Sequence, residues 1–581
     1  MESSIYFEYL VILGYLFMLI AVGWGMRKLN SDVSDYFRNG CRGTWWLVGS
    51  STFMAAFSAW TFTGAAGVAF QAGWSVSIIY LANALAFFIN YLFLAKWFRQ
   101  LRVITVPDVI RLRFDGLTEQ FYSYFSVVIQ LLHAGLWLYG LAIFSSSVFG
   151  FNIQQVIIGI GFIVLFYSLT GGSWAVMATD FLQSLILLPL TILVAVLCLV
   201  ELGGIGGLFA AIQSADLSRD FAVFNSPDRF EMGKFSVFWA CAIVLNHVIV
   251  YNSVNSSVRY FAVKDGDAAR KAALLACILM LVGSFLWIIP PMAARLLIPE
   301  VVLATQVSEP AEAAYALISL ELLPNGLIGL MVVAMFAATM SSLDTGLNRN
   351  AAIFTQNIYP SLCRWMKRKP VEEGKRLIVG RLFTLALGFG IILLALYFSR
   401  AGGKGVFDFM LEIGAVLGVP MTVPMVLCLF VRKVPAWSAI AAAGGTMIPS
   451  LIGYFSPALF GEAWSFQTKV FVNLGSGTFF FLATTAFWQS TSVEYRRQTD
   501  RFFERMHRPV DFEKEVGQAN DLTQLVFLGR FGLAAGLFIA LLLLLPNSFA
   551  DRIGILGVSL IVSVISLLLL KAGKRSMKYD S

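Results

Sequence analysis

The chain has 581 residues, of which 58% are hydrophobic and only 13% charged, against roughly 25% charged in an average soluble protein. Apolar runs of about 20 residues recur along its whole length, which excludes a string of soluble domains and predicts an all-α polytopic protein of the lipid bilayer. The net charge of +8 does not indicate a nucleic-acid partner, because the basic residues sit in short segments between apolar runs, where positive-inside topology accounts for them. Cys41, Cys198, Cys241, Cys277, Cys363 and Cys428 are scattered without a C-x-x-C pair, so neither a disulfide framework nor a thiolate metal site is expected.

In chain order the apolar pattern predicts about 15 spans: 5–26, 44–72, 74–98, 118–148, 151–170, 179–200, 235–256, 272–296, 325–346, 381–399, 405–431, 434–455, 466–487, 525–546 and 551–571. The first begins at Ile5, is long for a signal-peptide core, lacks a basic start and has no A-x-A-like site after it, so it is expected to persist as a helix. With the N-terminus outside, the basic segments (Arg27, Lys28, Arg38 and Arg42; Lys96 to Arg113; Arg259 to Lys271; Arg349 to Arg381; Arg496 to Arg530) all fall on the cytoplasmic side. An odd span count then places the C-terminus, with its basic tail Lys571 to Arg575, in the cytoplasm of a cell-membrane protein. The polar segments 201–234, 347–380 and 488–524 are each too short for a soluble catalytic domain. The last of them alternates charge signs, as a solvated cytoplasmic helix would.

Within a membrane every backbone polar group must be satisfied internally, so clustered hydroxyl, Gly or amide residues mark a broken helix, a lined cavity or a close helix contact. The second span runs Met54-Ala-Ala-Phe57-Ser58-Ala-Trp-Thr61-Phe-Thr63-Gly64-Ala-Ala-Gly67. Unwinding near Met54 to Thr61 would free carbonyls for a cation; the alternative is a small-residue packing face. The seventh span carries Asn246, His247, Asn252 and Asn255, read either as a second break or as interhelical hydrogen bonding. The two segments are five spans apart. Because an odd repeat inverts its topology, residues 44–200 and 235–431 are expected to form two inverted five-span halves, each opening with a broken helix. Around them lie an extra N-terminal helix and loop (1–43), an extracellular loop (201–234), peripheral spans (432–487), the charged segment (488–524) and two C-terminal spans (525–581).

The ninth span holds Ala337-Ala338-Thr339-Met340-Ser341-Ser342-Leu343-Asp344-Thr345. Ala338, Ser341, Ser342 and Thr345 stand at i, i+3, i+4 and i+7 and share one face. Two hydroxyls and the carbonyl of residue i, with carbonyls from an unwound neighbour, could ligate a hard monovalent cation. Asp344 near the end of the span either snorkels or joins a site, and Asp180, opening the sixth span, is either a helix cap or a ligand.

These residues resemble the sodium/solute symporter family, which includes sodium-coupled transporters of sugars, proline, sialic acid, vitamins and monocarboxylates. The resemblance covers roughly residues 1–490. It rests on Ala338-Thr-Met-Ser341-Ser342, similar to the family's A-x-x-S-S/T element; on the broken-helix sequence Ala55 to Gly64; on Val258-Arg259 with Lys264-Asp265 and Ala269-Arg270-Lys271; and on Gly171-Gly172 with Thr179-Asp180-Phe-Leu-Gln183. It implies a leucine-transporter-type core of ten helices. The implied sodium ligands are the carbonyls of Met54, Phe57 and Ala338 and the hydroxyls of Ser341 and Ser342. A second sodium, bound by some members, would take Asp180, Ser341, Asp344 and Thr345, although Asp344 departs from the small residue usual there. The implied substrate pocket is lined by Ser58, Thr61, Phe62, Tyr80, Gln130, His133, Asn252, Asn255 and Glu412.

The expected function is therefore sodium-coupled symport, importing a small polar organic solute by alternating access, with the chain working as a monomer. Two other readings use the same fold. A transporter-derived sensor would need a long C-terminal signalling region, and only about ten residues follow the last span. Proton coupling would use Asp180, Asp344 or Glu412. A membrane enzyme is not expected, since the three histidines are far apart and no H-E-x-x-H or G-x-S-x-G sits on a suitable scaffold.

Overall fold

The structure, a computed structural model, describes residues 2–26, 38–57, 59–170, 173–305, 309–400 and 405–579. Arg27, Lys28, Ser58, Gly171 and Gly172, all used in the sequence reading, lie outside the described residues. Each predicted span corresponds to helix, and among the described residues the one β feature is an isolated bridge between Gly43 and Val263. Ten helical stretches are long and apolar enough to cross a membrane, and shorter apolar helices at Phe7–Val22, Ile153–Phe166 and Val237–Tyr251 accompany them.

Both predicted breaks are present. The second span is a helix over Trp45–Ala56, an extended residue at Phe57 (φ −116°, ψ 127°), one tight turn over Ala59–Phe62 and a second helix over Gly64–Ala72. Its glycines serve close approach: a Cβ on Gly64 would lie 3.1 Å from the Phe407 backbone nitrogen, and one on Gly67 would lie 3.1 Å from Glu312 Cγ. The seventh span is helical over Val237–Tyr251, where Asn252 ends it, and continues as short turns over Val254–Ser256 and Val258–Ala262. The ends of the two broken elements are joined where the Gly43 amide donates to the Ala262 carbonyl at 2.9 Å. This end of the bundle bears the basic segments, and we call it the basic end.

Two boundaries differ from expectation. The ninth span does not stop at residue 346 but runs as one helix over Leu327–Ile353 and through a wide turn, Phe354–Ile358, into Tyr359–Trp365. Its polar stretch Asn348-Arg349-Asn350, read as loop, stays in the bundle because neighbours absorb the polarity. Asn350 donates to the Gly346 carbonyl, Asn348 to Asp344 and Arg349 to Gln130. The charged segment is likewise not a wholly solvated helix. In Val493–His507 the side chains of Tyr495, Phe502 and Met506 are buried. The fully buried Arg113 reaches the Tyr495 hydroxyl and the carbonyls of Cys428, Val431 and Arg432. Further along, Arg102 donates twice to Glu515 and holds its carboxyl well below the usual carboxylate range, at about 2.

The last two spans, Asp521–Leu541 and Phe549–Tyr579, pack on each other through Gly529, Gly532 and Gly536 against Leu570, Ser566 and Ser563. They lean on the sixth span, Ser173–Glu201, which carries Asp180. At the far end, the buried Glu8 of the first helix, Glu2–Met26, accepts from the amides of Gly326 and Gly329 at the start of the ninth span. A carboxylate there satisfies donors that a helix start leaves unpaired and complements its dipole. Glu8→Ala therefore orphans two buried amides at a cost of about 2–4 kcal/mol. It is expected to lower the unfolding midpoint in detergent by several degrees, and an unchanged midpoint would contradict this role.

Candidate functional site

Where the two helix breaks meet the ninth and fourth spans, the bundle encloses a cavity of about 340 Å³. Its wall includes Trp60 beside the first break, Asn246, His247 and Asn255 around the second, and Gln130 and His133 on the fourth span, Gly116–Phe149. Ser342 and Arg349 reach it from the ninth span. An aromatic layer separates the cavity from the far end. Trp60 stacks on Phe407 at 6.0 Å, Phe57 meets Trp287 at 4.4 Å, Tyr80 meets the same Trp287 at 5.2 Å, and Phe62 meets Tyr315 at 4.8 Å.

Two of the residues expected at the first ion site, Phe57 and Ser342, meet in one contact. The Ser342 hydroxyl donates to the Phe57 carbonyl at 3.4 Å, across 285 residues of chain. That carbonyl is available because the helix has ended one residue earlier. Two oxygens at right angles around a cation with metal–oxygen contacts of about 2.4 Å, the range for a calcium-sized ion, stand about 3.4 Å apart. The spacing suits a shared ion. The Met54 carbonyl accepts the Phe57 amide at 3.2 Å, which leaves one lone pair, and Ala338 lies in the same helix as the serines, one turn earlier. Ser341, one residue from Ser342 and so about 100° around the helix, turns to Asp180. Both side chains are buried, and the Ser341 hydroxyl is among the groups that hydrogen-bond the Asp180 carboxylate.

At the residues of the second expected ion site the structure places the Arg259 side chain. The guanidinium sits among Asp180, Asp344 and Thr345. Its Nη2 lies 3.2 Å from Asp180 Oδ2 and also bonds the Thr345 hydroxyl, while Ser51 donates to the same Asp180 oxygen. The guanidinium gives Asp180 and Asp344, the two carboxylates of the second expected ion site, a fixed counter-charge beside Thr345. Arg259 was visible in the sequence only as part of a motif at the end of a span. Nothing local said that its head group folds back into the membrane.

Of the residues expected around the substrate, Gln130, His133 and Asn255 lie on the cavity wall, and Ser58 is outside the described residues. Phe62 and Tyr80 belong instead to the aromatic layer, and Thr61 is buried beside them. Asn252 is off the wall because its side-chain amide bonds the Val248 carbonyl at 2.8 Å, closing its own helix end. Glu412 is off the wall too, 3.7 Å from Lys469 Nζ and partly solvated. Sequence reading missed Trp60, Trp137, Asn83 and Arg349 on the wall. The aromatics carried no signal among so many others, and Arg349 was placed in a loop.

A broken-helix pair around a polar-lined cavity is the arrangement of a secondary transporter. The model of the sodium:solute symporter family matches residues 36–445, and the chain belongs to that family. It is similar to sodium/glucose cotransporter 2 of Rattus norvegicus, 29% identical over 494 residues that cover 78% of this chain and 72% of the relative. It is also similar to sodium/myo-inositol cotransporter 2 of Bos taurus, 29% identical over 467 residues that cover 73% and 66% of the two chains. In fold it matches a substrate-bound, outward-open Na+-coupled sialic acid symporter with a TM-score of 0.70 and 20% identity, over 84% of this chain and 98% of the other. A nucleobase-cation-symport-1 family transporter in a closed conformation matches with a TM-score of 0.51 and 14% identity, over 82% and 99%. The fold is the inverted-repeat, leucine-transporter-type core with added helices at both ends. The protein is a sodium-coupled membrane symporter of a small solute, not an enzyme.

Proposed function

We propose that this symporter imports a hydroxyl-bearing solute of sugar or polyol size together with one sodium ion, working as a monomer in the cell membrane with the basic end cytoplasmic. The ion is held by the carbonyls of Met54, Phe57 and Ala338 and the hydroxyls of Ser341 and Ser342, and the solute sits in the adjoining cavity. The observation that carries this reading is the Phe57–Ser342 contact, in which a carbonyl at the break of one helix meets a hydroxyl on an intact helix. An ion at that point ties the two helices together, and the solute cavity opens directly onto Ser342. Ion and solute thus stabilise one arrangement, which is what coupling requires. The amide, imidazole and hydroxyl lining suits hydroxyl groups, and the named relatives are cotransporters of glucose and myo-inositol. At a membrane potential of ~100 mV one sodium ion contributes about 2.3 kcal/mol, enough for roughly fiftyfold accumulation before its concentration gradient is counted. The test is uptake into proteoliposomes of sugars, polyols and their acids with an inward sodium gradient and without one. Equal uptake in both conditions would reject the coupling.

The closed outer side adds a pH dependence. Glu312 lies before the ninth span, is 4% exposed, and accepts from the Phe407 amide at 3.4 Å as the eleventh span begins. Burial pushes its carboxyl up to about 8, with Glu309 and Asp408 adding repulsion, while Lys234 is engaged with Asp408 at 2.9 Å. When the outer side opens, Glu312 returns toward an ordinary carboxylate value near 4.5. Closure then takes up a proton. The closed form is favoured fully at acidic external pH and loses that advantage as pH rises through about 8. Glu312→Gln is expected to flatten the external-pH dependence of uptake between about 5 and 8. A profile identical to wild type would rule this out.

A further inference from the structure

The polar wall of the cavity contains an imbalance that a neutral sugar does not answer. Arg349 sits seven residues beyond Ser342 on one helix, a rise of about 10 Å toward the basic end. Both residues line the cavity of about 340 Å³. The guanidinium lines this cavity and a smaller one next to it. Its single hydrogen bond goes from Nη2 to Gln130 Oε1, at 2.6 Å. Nε is buried without a partner among the described residues. Among the described residues no carboxylate pairs with it, because Asp180 is committed to Arg259 and Asp344 accepts from Asn348.

Gln130 sharpens the point. With its oxygen taken by Arg349, its amide orientation is settled, and the remaining Nε2 is a second buried donor without an acceptor. Two adjacent side chains therefore offer donors and no acceptor, and one of them carries a full charge in a low-dielectric site. A hydroxyl group brings a donor with each acceptor, whereas an ionised carboxylate brings two oxygens that only accept and matches a guanidinium in charge and planarity.

Building on the proposed symport reading, we infer that the solute bears a carboxylate, and that Arg349 and Gln130 bind it at the basic end of the cavity while His133, Asn246 and Asn255 face its hydroxyls. The substrate class is a polyhydroxy acid, an aldonate or uronate, and Arg349 is the residue that selects the acid over the neutral sugar.

The test measures binding of four probes to the purified full-length protein, with and without sodium: gluconate, glucuronate, sorbitol and glucose, at constant chloride and ionic strength. At least one acid is expected to bind tenfold or more tighter than its neutral counterpart. Arg349→Gln is expected to remove that preference, and Arg349→Lys to keep part of it. Thermal stabilisation by sodium alone checks that each variant retains its fold and ion site. The inference is overturned if the neutral compounds bind as tightly as the acids in the wild type, if no acid binds, or if a well-folded Arg349→Gln keeps the preference. It is also overturned if the preference vanishes on replacing chloride with a bulky anion, which would make Arg349 an inorganic-anion site. Acid binding that depends on Arg349 but not on sodium would instead reject the symport reading and leave the carboxylate subsite standing.

Discussion

Ser342→Ala lowers the apparent sodium affinity of uptake by at least tenfold, while Ser342→Thr, which keeps the hydroxyl, stays near wild type. The expectation follows from the contact at 3.4 Å between the Ser342 hydroxyl and the Phe57 carbonyl. Removing one neutral oxygen from a charged centre costs about 1.5–3 kcal/mol, and each 1.4 kcal/mol is about a factor of ten. The loss falls on the ion first and reaches the solute only through coupling, so saturating sodium restores much of the uptake. Folding is unaffected, because the hydroxyl is deleted from a helix that keeps its backbone bonds. Sodium titrations of uptake in proteoliposomes decide the matter; indistinguishable half-saturation values for serine and alanine at position 342 would remove the site.

The second large effect belongs to Asp180 and Arg259, whose side chains are 0% and 8% exposed and 3.2 Å apart. Removing either partner of a buried ion pair leaves the other charge unanswered and costs about 3–5 kcal/mol. Arg259→Gln and Asp180→Asn should each lower the unfolding midpoint substantially, and the double variant should lower it by much less than the two shifts combined. A functional consequence separates this from a merely structural strut. Without its guanidinium, Asp180 still has Ser341, Asp344 and Thr345 around it, so the vacated position can accept a cation. Arg259→Gln should therefore make the sodium dependence of uptake steeper than in the wild type. Additive destabilisation together with an unchanged hyperbolic dependence would show that the guanidinium does not stand in for an ion.

Local chemistry explains why some of this was readable in advance. The breaks at Phe57 and after Tyr251 follow from glycine, hydroxyl and amide residues where an apolar helix carries none, and backbone satisfaction in lipid leaves few other outcomes. The serine pair was legible because helical periodicity puts Ala338, Ser341 and Ser342 together whatever else the chain does. The positions of Arg259 and Arg349 were not. A basic residue at the end of a span has two favourable fates, snorkelling to water or pairing inside, and the choice depends on partners 79 and 219 residues away in sequence. The same holds for Asn252 and Asn255, three residues apart, where one closes its own helix end and the other faces the cavity.

Composition alone, with 13% charge and 58% hydrophobic residues, determined a membrane bundle, and the spacing of its polar interruptions pointed to an inverted-repeat transporter. Those properties are additive along the chain, since each segment's transfer energy and helical phase are its own. The tertiary structure decided which of the few buried charges answer one another. It paired Asp180 with Arg259 and left Arg349 facing the cavity with no carboxylate partner among the described residues. Such pairing energies depend on distances between segments remote in sequence, in a medium where a few ångströms change the outcome.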